Sequence, residues 1–221
     1  MKKRFIVGRF VLFIGLMTLL TGCQDKRNSR EWLENRFGTE LSRVYPTKNN
    51  LEDLFKEFPD GFKIEQNYWK KEDVIEIAVK GNSENNIIMG TLTHSKGNKV
   101  LDIIKIEYRE NKFVFSDKVK AKQLWPYNGF LFQHLTVNKH FLSQQTMINK
   151  EYLSENGDFN IQYKLDAPII SNYLHLKNYE NYNLDLGGSN SNTGYYYSVG
   201  VEDNKNVNNF NFSEIISDTK N

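Results

Sequence analysis

The residue with the clearest chemical role is Cys23, the only cysteine in the 221-residue chain. It ends the sequence Leu20-Thr21-Gly22-Cys23, which has the order of a lipobox: a leucine, a small residue, a glycine and the cysteine whose sulfur accepts a diacylglyceryl group. A single cysteine excludes an intrachain disulfide and a cysteine-rich zinc site. The sequence therefore predicts lipid attachment at Cys23, with Leu20, Thr21 and Gly22 as the lipobox residues before it.

The residues before Cys23 have the composition of a signal peptide. Four basic residues lie within the first nine positions, and an apolar run follows from Phe10 to Leu20. This run is shorter than the roughly 20 residues that span a bilayer, and it is typical of a cleaved targeting segment. We expect residues 1–22 to be the lipoprotein signal peptide, residues 23–29 a lipidated tether, and residues 30–221 a single α+β domain on the outer face of the cell membrane.

The charge balance argues against a nucleic-acid partner. The chain has 29 basic and 27 acidic residues, and four of the basic residues lie in the signal peptide. The remainder therefore carries 25 basic against 27 acidic residues, whereas a nucleic-acid-binding domain is strongly basic. Aromatic residues make up 14% of the chain, which is enough to build a core.

Other residue types that carry out chemistry lack the spacing that the chemistry requires. The histidines His94, His134, His140 and His175 do not form the His-Glu-x-x-His pair of zinc proteases, and no Gly-x-Ser-x-Gly elbow occurs. The glycine-rich segment 187–194 leads into tyrosines, without the Gly-Lys-Ser/Thr of a phosphate-binding loop. We expect a non-enzymatic protein with no catalytic residue, no bound metal ion and no cofactor.

The first helical signals lie at the start of the domain. Apolar residues every three or four positions predict one helix from about Ser29 to Val44 and a second from Leu51 to Phe58. Asn28 followed by Glu31 is typical of a capping box, and Pro46 ends the first helix because the residue before a proline avoids the helical region. These signals predict a pair of helices before any strand.

From Gly61 onward the apolar residues alternate along the chain, as in half-buried strands. We place the strand at 100–108 near the sheet centre because it is partly apolar on both faces. After residue 118 the pattern predicts helices, then further strands, and a frayed C-terminus. The predicted strands are 62–65, 73–80, 86–94, 99–109, 112–117, 159–165, 184–186, 195–202 and 209–212, and the later helices are 130–142, 144–153 and 168–176.

These elements predict an α+β fold. An N-terminal helical pair packs on a mostly antiparallel twisted sheet, with a second, smaller strand–helix part after residue 118. Within the later strands, alternation places Tyr195 and Tyr197 on one face and Tyr196 on the other. Core packing accounts for these tyrosines, and the functional alternative is an exposed aromatic surface that contacts a partner.

One segment resembles a known family. Residues 44–55, which read VYPTKNNLEDLF, are similar to a recurring block in the tandem-type lipoproteins of staphylococci, also called the conserved staphylococcal antigen family. Residues 88–92, 162–165 and 187–195 resemble further stretches of that family, whereas the basic hairpin expected near residues 93–98 reads THSKGN here. The resemblance implies a membrane-anchored surface lipoprotein without enzymatic activity, associated with host interaction and with immune sensing of its lipid.

The leading interpretation is a monomeric, lipid-anchored, extracytoplasmic surface lipoprotein that meets the membrane through its N-terminal lipid and contacts a host-cell protein. One alternative is the solute-binding lipoprotein of a transporter, although the chain is short for a two-lobed cleft. Another is an envelope enzyme or enzyme inhibitor, which requires a histidine and carboxylates in a cleft. A further alternative is that display of the lipid is the main biological output.

Overall fold

Ten strands in one antiparallel sheet dominate the part of the chain that the structure describes. The computed structural model describes residues 26–46, 50–127, 129–191, 194–206 and 209–219, and these residues form a mixed α+β fold. The strands are β1 (Phe62–Lys70), β2 (Asp73–Asn82), β3 (Ile87–Lys96), β4 (Lys99–Arg109), β5 (Lys112–Phe115), β6 (Met147–Leu153), β7 (Asp158–Lys164), β8 (Tyr182–Ser191), β9 (Gly194–Asp203) and β10 (Asn211–Asp218).

The strand order places the C-terminal strand in the middle of the sheet. The order is β5-β4-β3-β2-β1-β10-β9-β8-β7-β6, so two meanders meet where β1 pairs with β10. Ile64 lies opposite Ile216 in that pairing, and Phe212 lies opposite Val201 of β9. The predicted fraying is wrong for residues 213–218, because β10 continues to Asp218 and lies between β1 and β9. Residues 220 and 221 lie outside the described residues. The strands after residue 118 thus extend the same sheet.

The prediction that the strand at 100–108 is central is also wrong. Only β5 separates β4 from the sheet edge. One face of β4 carries the buried Ile104 and Ile106, but Val100 is 52% exposed and Ile103 is 65% exposed on the other face. Apolar residues on both faces of a strand therefore did not indicate burial here.

Five α-helices accompany the sheet in the described residues: α1 (Arg30–Val44), α2 (Leu54–Glu57), α3 (Lys118–Leu124), α4 (Lys139–Gln144) and α5 (Pro168–Tyr173). Helix α1 is capped by Ser29, whose Oγ accepts from the Trp32 amide, and not by the expected Asn28. Its Phe37 ring stacks on Phe159 of β7 with centroids 3.6 Å apart. No helix in the described ranges is long and apolar enough to cross a membrane.

The segment between β5 and β7 differs most from its prediction. The helix expected at 144–153 is the edge strand β6, and the helix expected at 130–142 is a 3₁₀ turn, Leu131–Gln133, followed by the short α4. Backbone pairing with β7 overrides the local helical preference of β6. Residues 26–28, expected in the tether, form a further 3₁₀ turn whose Asn28 carbonyl accepts a hydrogen bond from Lys150.

The core lies on one face of the sheet. Ile75, Ile77 and Val79 of β2 are buried on that face. Glu76 and Lys80, which alternate with them along the strand, are exposed on the other face. The helices and the segment after β5 pack on the buried face, as the stacking of Phe37 on Phe159 illustrates. All side chains of the candidate site described below are likewise positioned on this face or at its edge.

Candidate functional site

A buried carboxylate attaches the segment after α3 to the centre of the sheet. Glu214 of β10 is 0% exposed. Its Oε2 accepts from the Leu131 amide at 2.6 Å and from Gln66 Nε2 at 2.9 Å, and its Oε1 accepts from the Phe132 amide at 2.8 Å. Because these donors come from distant parts of the chain, Glu214 joins strands β1 and β10 to the 3₁₀ turn at Leu131–Gln133.

Burial shifts the ionisation of Glu214. Removal from water disfavours the charged carboxylate and raises its pKa to about 7, although the hydrogen bonds from the Leu131 amide, Gln66 and the Phe132 amide favour the ionised form. Burial likewise raises the pKa of the neighbouring Tyr173 hydroxyl well above its usual value. The titration of Glu214 therefore falls close to neutral pH.

Gln66 of β1 extends this network to an aromatic side chain. Its Oε1 accepts from the Trp125 indole N–H at 2.9 Å, and its Nε2 also donates to the Tyr173 hydroxyl at 2.9 Å. Tyr173 in turn donates to the Gly129 carbonyl at 2.8 Å. The network thus holds the loop after α3 at two points, the Trp125 indole and the Gly129 carbonyl. It also orients the Trp125 ring.

Trp125 forms part of a groove on the outer side of the network. The groove has a volume of about 670 Å³ and lies between the β4–β5 edge and the chain that follows α3. Phe113 packs edge-on against Trp125 with centroids 5.3 Å apart, and Tyr127 stacks on Tyr173 at 4.8 Å. The aromatic residues that line the groove are Tyr108, Phe113, Phe115, Trp125 and Tyr127.

The rim of the groove is cationic. Lys112, Lys118 and Lys122 line it, and none of the described lining residues is an aspartate or glutamate. Lys118 and Lys122 are four residues apart in α3, which places both ammonium groups on the same face of the helix. Asp117 caps this helix by accepting from the Lys120 amide at 2.9 Å. The groove therefore combines an apolar floor with a concentrated positive charge.

A surface cluster around His94 holds the other face of α3. The His94 Nδ1 lies 3.1 Å from Asp102, and its Nε2 lies 3.1 Å from Asp73. Lys120 of α3 lies 3.3 Å from the same Asp102 carboxylate. The hydrogen bond from His94, followed by that from Lys120, lowers the Asp102 pKa. Within the described residues, no set of three or more His, Cys, Asp or Glu side chains is arranged to hold a metal ion.

Two of the three tyrosines named from the sequence as a possible partner surface pack against the helices. Tyr197 is buried and donates to Glu40 at 2.9 Å, while the half-buried Tyr195 donates to Glu57 at 2.7 Å. Their rings pack edge-on at 5.1 Å, so they share a face as the alternation predicted. Tyr196 is half-buried on the opposite face. The contacts of Tyr195 and Tyr197 connect β9 to α1 and α2, so these two tyrosines pack against the helices.

The remaining predicted site residues, Leu20, Thr21, Gly22 and Cys23, lie outside the described residues. No family model matches this chain, and no curated protein sequence matches it. The sequence analysis did not predict the groove. The only local patterns that belong to it are the alternation of Phe113 and Phe115 and the four-residue spacing of Lys118 and Lys122. Both patterns are common in edge strands and surface helices, so neither indicates a groove without the tertiary structure.

Proposed function

We propose that this chain is a lipid-anchored, extracytoplasmic surface lipoprotein that acts by binding a host partner at the groove and has no enzymatic activity. The observation that carries this proposal is the groove's aromatic floor beneath Lys112, Lys118 and Lys122, with no acidic side chain among the lining residues that the structure describes. Such a site favours a partner that offers an apolar group together with negative charge, because the floor gains from burial and the rim from charge pairing.

Two structural features favour binding over the alternatives. Both ring nitrogens of His94 lie 3.1 Å from a carboxylate oxygen, and His94 is not among the residues that line the groove. The described sheet is continuous across all ten strands, whereas a transporter's solute receptor closes two lobes around its ligand. We therefore place the envelope enzyme and the solute receptor behind the surface-binding function.

The resemblance to the staphylococcal tandem-type lipoproteins remains part of this proposal, as do a monomeric state and immune stimulation by the lipid. We also propose that α1 and α2 act as the helical pair predicted from the sequence. Arg43 of α1 lies 2.7 Å from Glu57 of α2, and Glu57 accepts from Tyr195 of β9. These contacts support a helical pair that packs on the sheet as a unit.

Cys23→Ala is expected to release the protein from membranes without unfolding it, because the lipid is the proposed attachment. Every described buried apolar residue lies between Leu33 and Ile216, so the substitution is outside the described core. Membrane fractionation and detergent-phase partition measure the release, and circular dichroism measures the fold. The wild-type chain should partition into the membrane and detergent fractions. Retention of the Cys23→Ala chain in those fractions would refute the anchor.

Reversing the charge of the groove should weaken partner binding. The double variant Lys118→Glu/Lys122→Glu replaces two attractive contacts by repulsive ones, and we expect at least about tenfold weaker binding. The measurement is saturable binding of residues 23–221, carrying Cys23→Ala, to host epithelial cells. The control Lys80→Glu/Lys105→Glu makes the same charge change at two exposed positions on the opposite face of the sheet.

The two double variants separate a local effect from a general one. Weaker binding by the groove variant alone supports the proposed site. Equal loss in both variants would mean that overall charge controls binding, and it would contradict the groove as the site. Absence of saturable binding by the chain without the substitutions in α3 would overturn the binding function and favour lipid display.

A further inference from the structure

The groove lies beside an unpaired edge of the sheet. Strand β5 pairs with β4, and within the described residues no strand lies on its other side. The opposite edge, β6, has a register shift between Met147 and Asn149, which disrupts strand addition there. The pairing of β5 with β4 has no such shift. Of the two sheet edges, β5 is therefore the regular one.

The backbone of β5 directs its free groups outward at the residues that line the groove. The Ser116 amide donates to the Lys105 carbonyl at 3.0 Å, which marks a hydrogen-bonded pair. Because hydrogen-bonded and non-hydrogen-bonded pairs alternate in an antiparallel ladder, the amides and carbonyls of Phe113 and Phe115 point away from β4. Their side chains line the groove. An added strand would thus pair with the same residues that form the apolar floor.

The lysine spacing on α3 matches the repeat of an extended chain. Lys118 and Lys122 are separated by four residues, a rise of about 6 Å along a helix. Alternate residues of a strand are separated by about 6.6–6.8 Å. Two acidic residues at i and i+2 of an added strand therefore have nearly the same spacing as Lys118 and Lys122 along the helix. A small anion would use these charges but none of the backbone groups at the edge.

We propose that the groove binds an extended acidic segment of a partner protein, which adds antiparallel to β5 and places an apolar side chain in the groove, against the packed rings of Phe113 and Trp125. Its alternate carboxylates then pair with Lys118 and Lys122. This inference rests on the proposed binding function, and it names the chemistry of the partner. The backbone hydrogen bonds supply affinity, whereas the groove and the lysines select the side chains.

The probe is the fluorescein-labelled peptide Thr-Glu-Thr-Glu-Thr-Phe-Thr, in which both glutamates and the phenylalanine share one face. Fluorescence anisotropy measures its binding to residues 23–221 carrying Cys23→Ala, which retain the whole described core. We expect saturable binding, and at least about tenfold weaker binding by Lys118→Glu/Lys122→Glu. A peptide with lysines in place of both glutamates should bind the unsubstituted groove more weakly, by a similar factor.

Two further peptides test the backbone pairing. In the first peptide, the backbone amides of the two glutamates and the phenylalanine are N-methylated. In the second peptide, the backbone amides of the last three threonines are N-methylated. Residues that face the groove in an antiparallel addition also donate to β5, so the first peptide should bind at least about tenfold more weakly. The second should bind within about threefold of the parent, because its methyl groups point away from β5.

Equal affinities of the two methylated peptides, or equal loss in both, would overturn strand addition. Failure of the parent peptide to bind would also overturn it. If the groove variant still loses binding to epithelial cells in those cases, the proposed function stands and only the class of partner is wrong. If the groove variant binds those cells normally, the proposed function fails independently of the peptides.

Discussion

A chain that ends at Phe210 is expected to remain unfolded, because it lacks the strand that joins the two halves of the sheet. Strand β10 lies between β1 and β9, so without it each of these two strands loses its pairing partner on the side that faced β10. The truncation also removes the fully buried Phe212 and Ile216 and the carboxylate of Glu214. Both meanders would then expose apolar faces and unpaired strand edges.

The size of the effect follows from the parts that are lost. Burial of a large apolar side chain contributes about 1.5–3 kcal/mol, and each hydrogen bond of the two ladders about 0.5–1.5 kcal/mol. Together these are comparable to the roughly 5–15 kcal/mol that stabilise a whole domain. Circular dichroism and urea unfolding measure the outcome. A chain that ends at Asp218 is the control and should unfold cooperatively. Cooperative unfolding of the shorter chain would contradict the central position of β10.

The stability of the protein is expected to fall between pH 5 and pH 8, and Glu214→Gln should remove most of that fall. The Glu214 pKa is about 7 in the folded protein against 4.5 as its ordinary value, so the native state binds more protons in this interval. Its stabilising contribution is therefore fully present below about pH 4.5 and is lost as the pH rises through about 7. The difference corresponds to about 3 kcal/mol.

In the Glu214→Gln variant, the side chain at position 214 keeps its shape but cannot titrate. At pH 5 it should be about 1–3 kcal/mol less stable than the wild type, because its amide cannot accept from one of the surrounding donors. The two free energies of unfolding should then converge toward pH 8. Burial, followed by repulsion from Glu202, also raises the Asp185 pKa to about 6, so this residue adds a smaller slope of the same sign.

Urea unfolding at several pH values measures the prediction for Glu214. Glu76→Gln is the matched control, since Glu76 is exposed on the open face of β2 and should leave the pH profile unchanged. Asp185→Asn separates the contribution of the second buried carboxylate. A Glu214→Gln profile parallel to that of the wild type would show that Glu214 is ionised in the native state throughout the interval.

Local patterns in the sequence predicted several elements closely. The stripe that begins at Leu33 defined α1 to within one residue, because an amphipathic helix repeats its apolar positions over short distances. Alternation and turn residues likewise located β2 to β5. The lipobox at Cys23 is also a local pattern, and it stays a prediction because it lies outside the described residues.

The groove and its support depend on contacts between distant residues, and no local pattern carries them. Gln66 and Glu214 lie 148 residues apart in sequence and are hydrogen-bonded neighbours in the fold. A buried glutamate also breaks the apolar alternation of β10, which is why the predicted strand ended at Phe212. By its own periodicity, then, the sequence determined which residues form α1 and β2 to β5. Only the tertiary structure decided that β10 is central and β4 is near the edge, because strand order depends on long-range pairing.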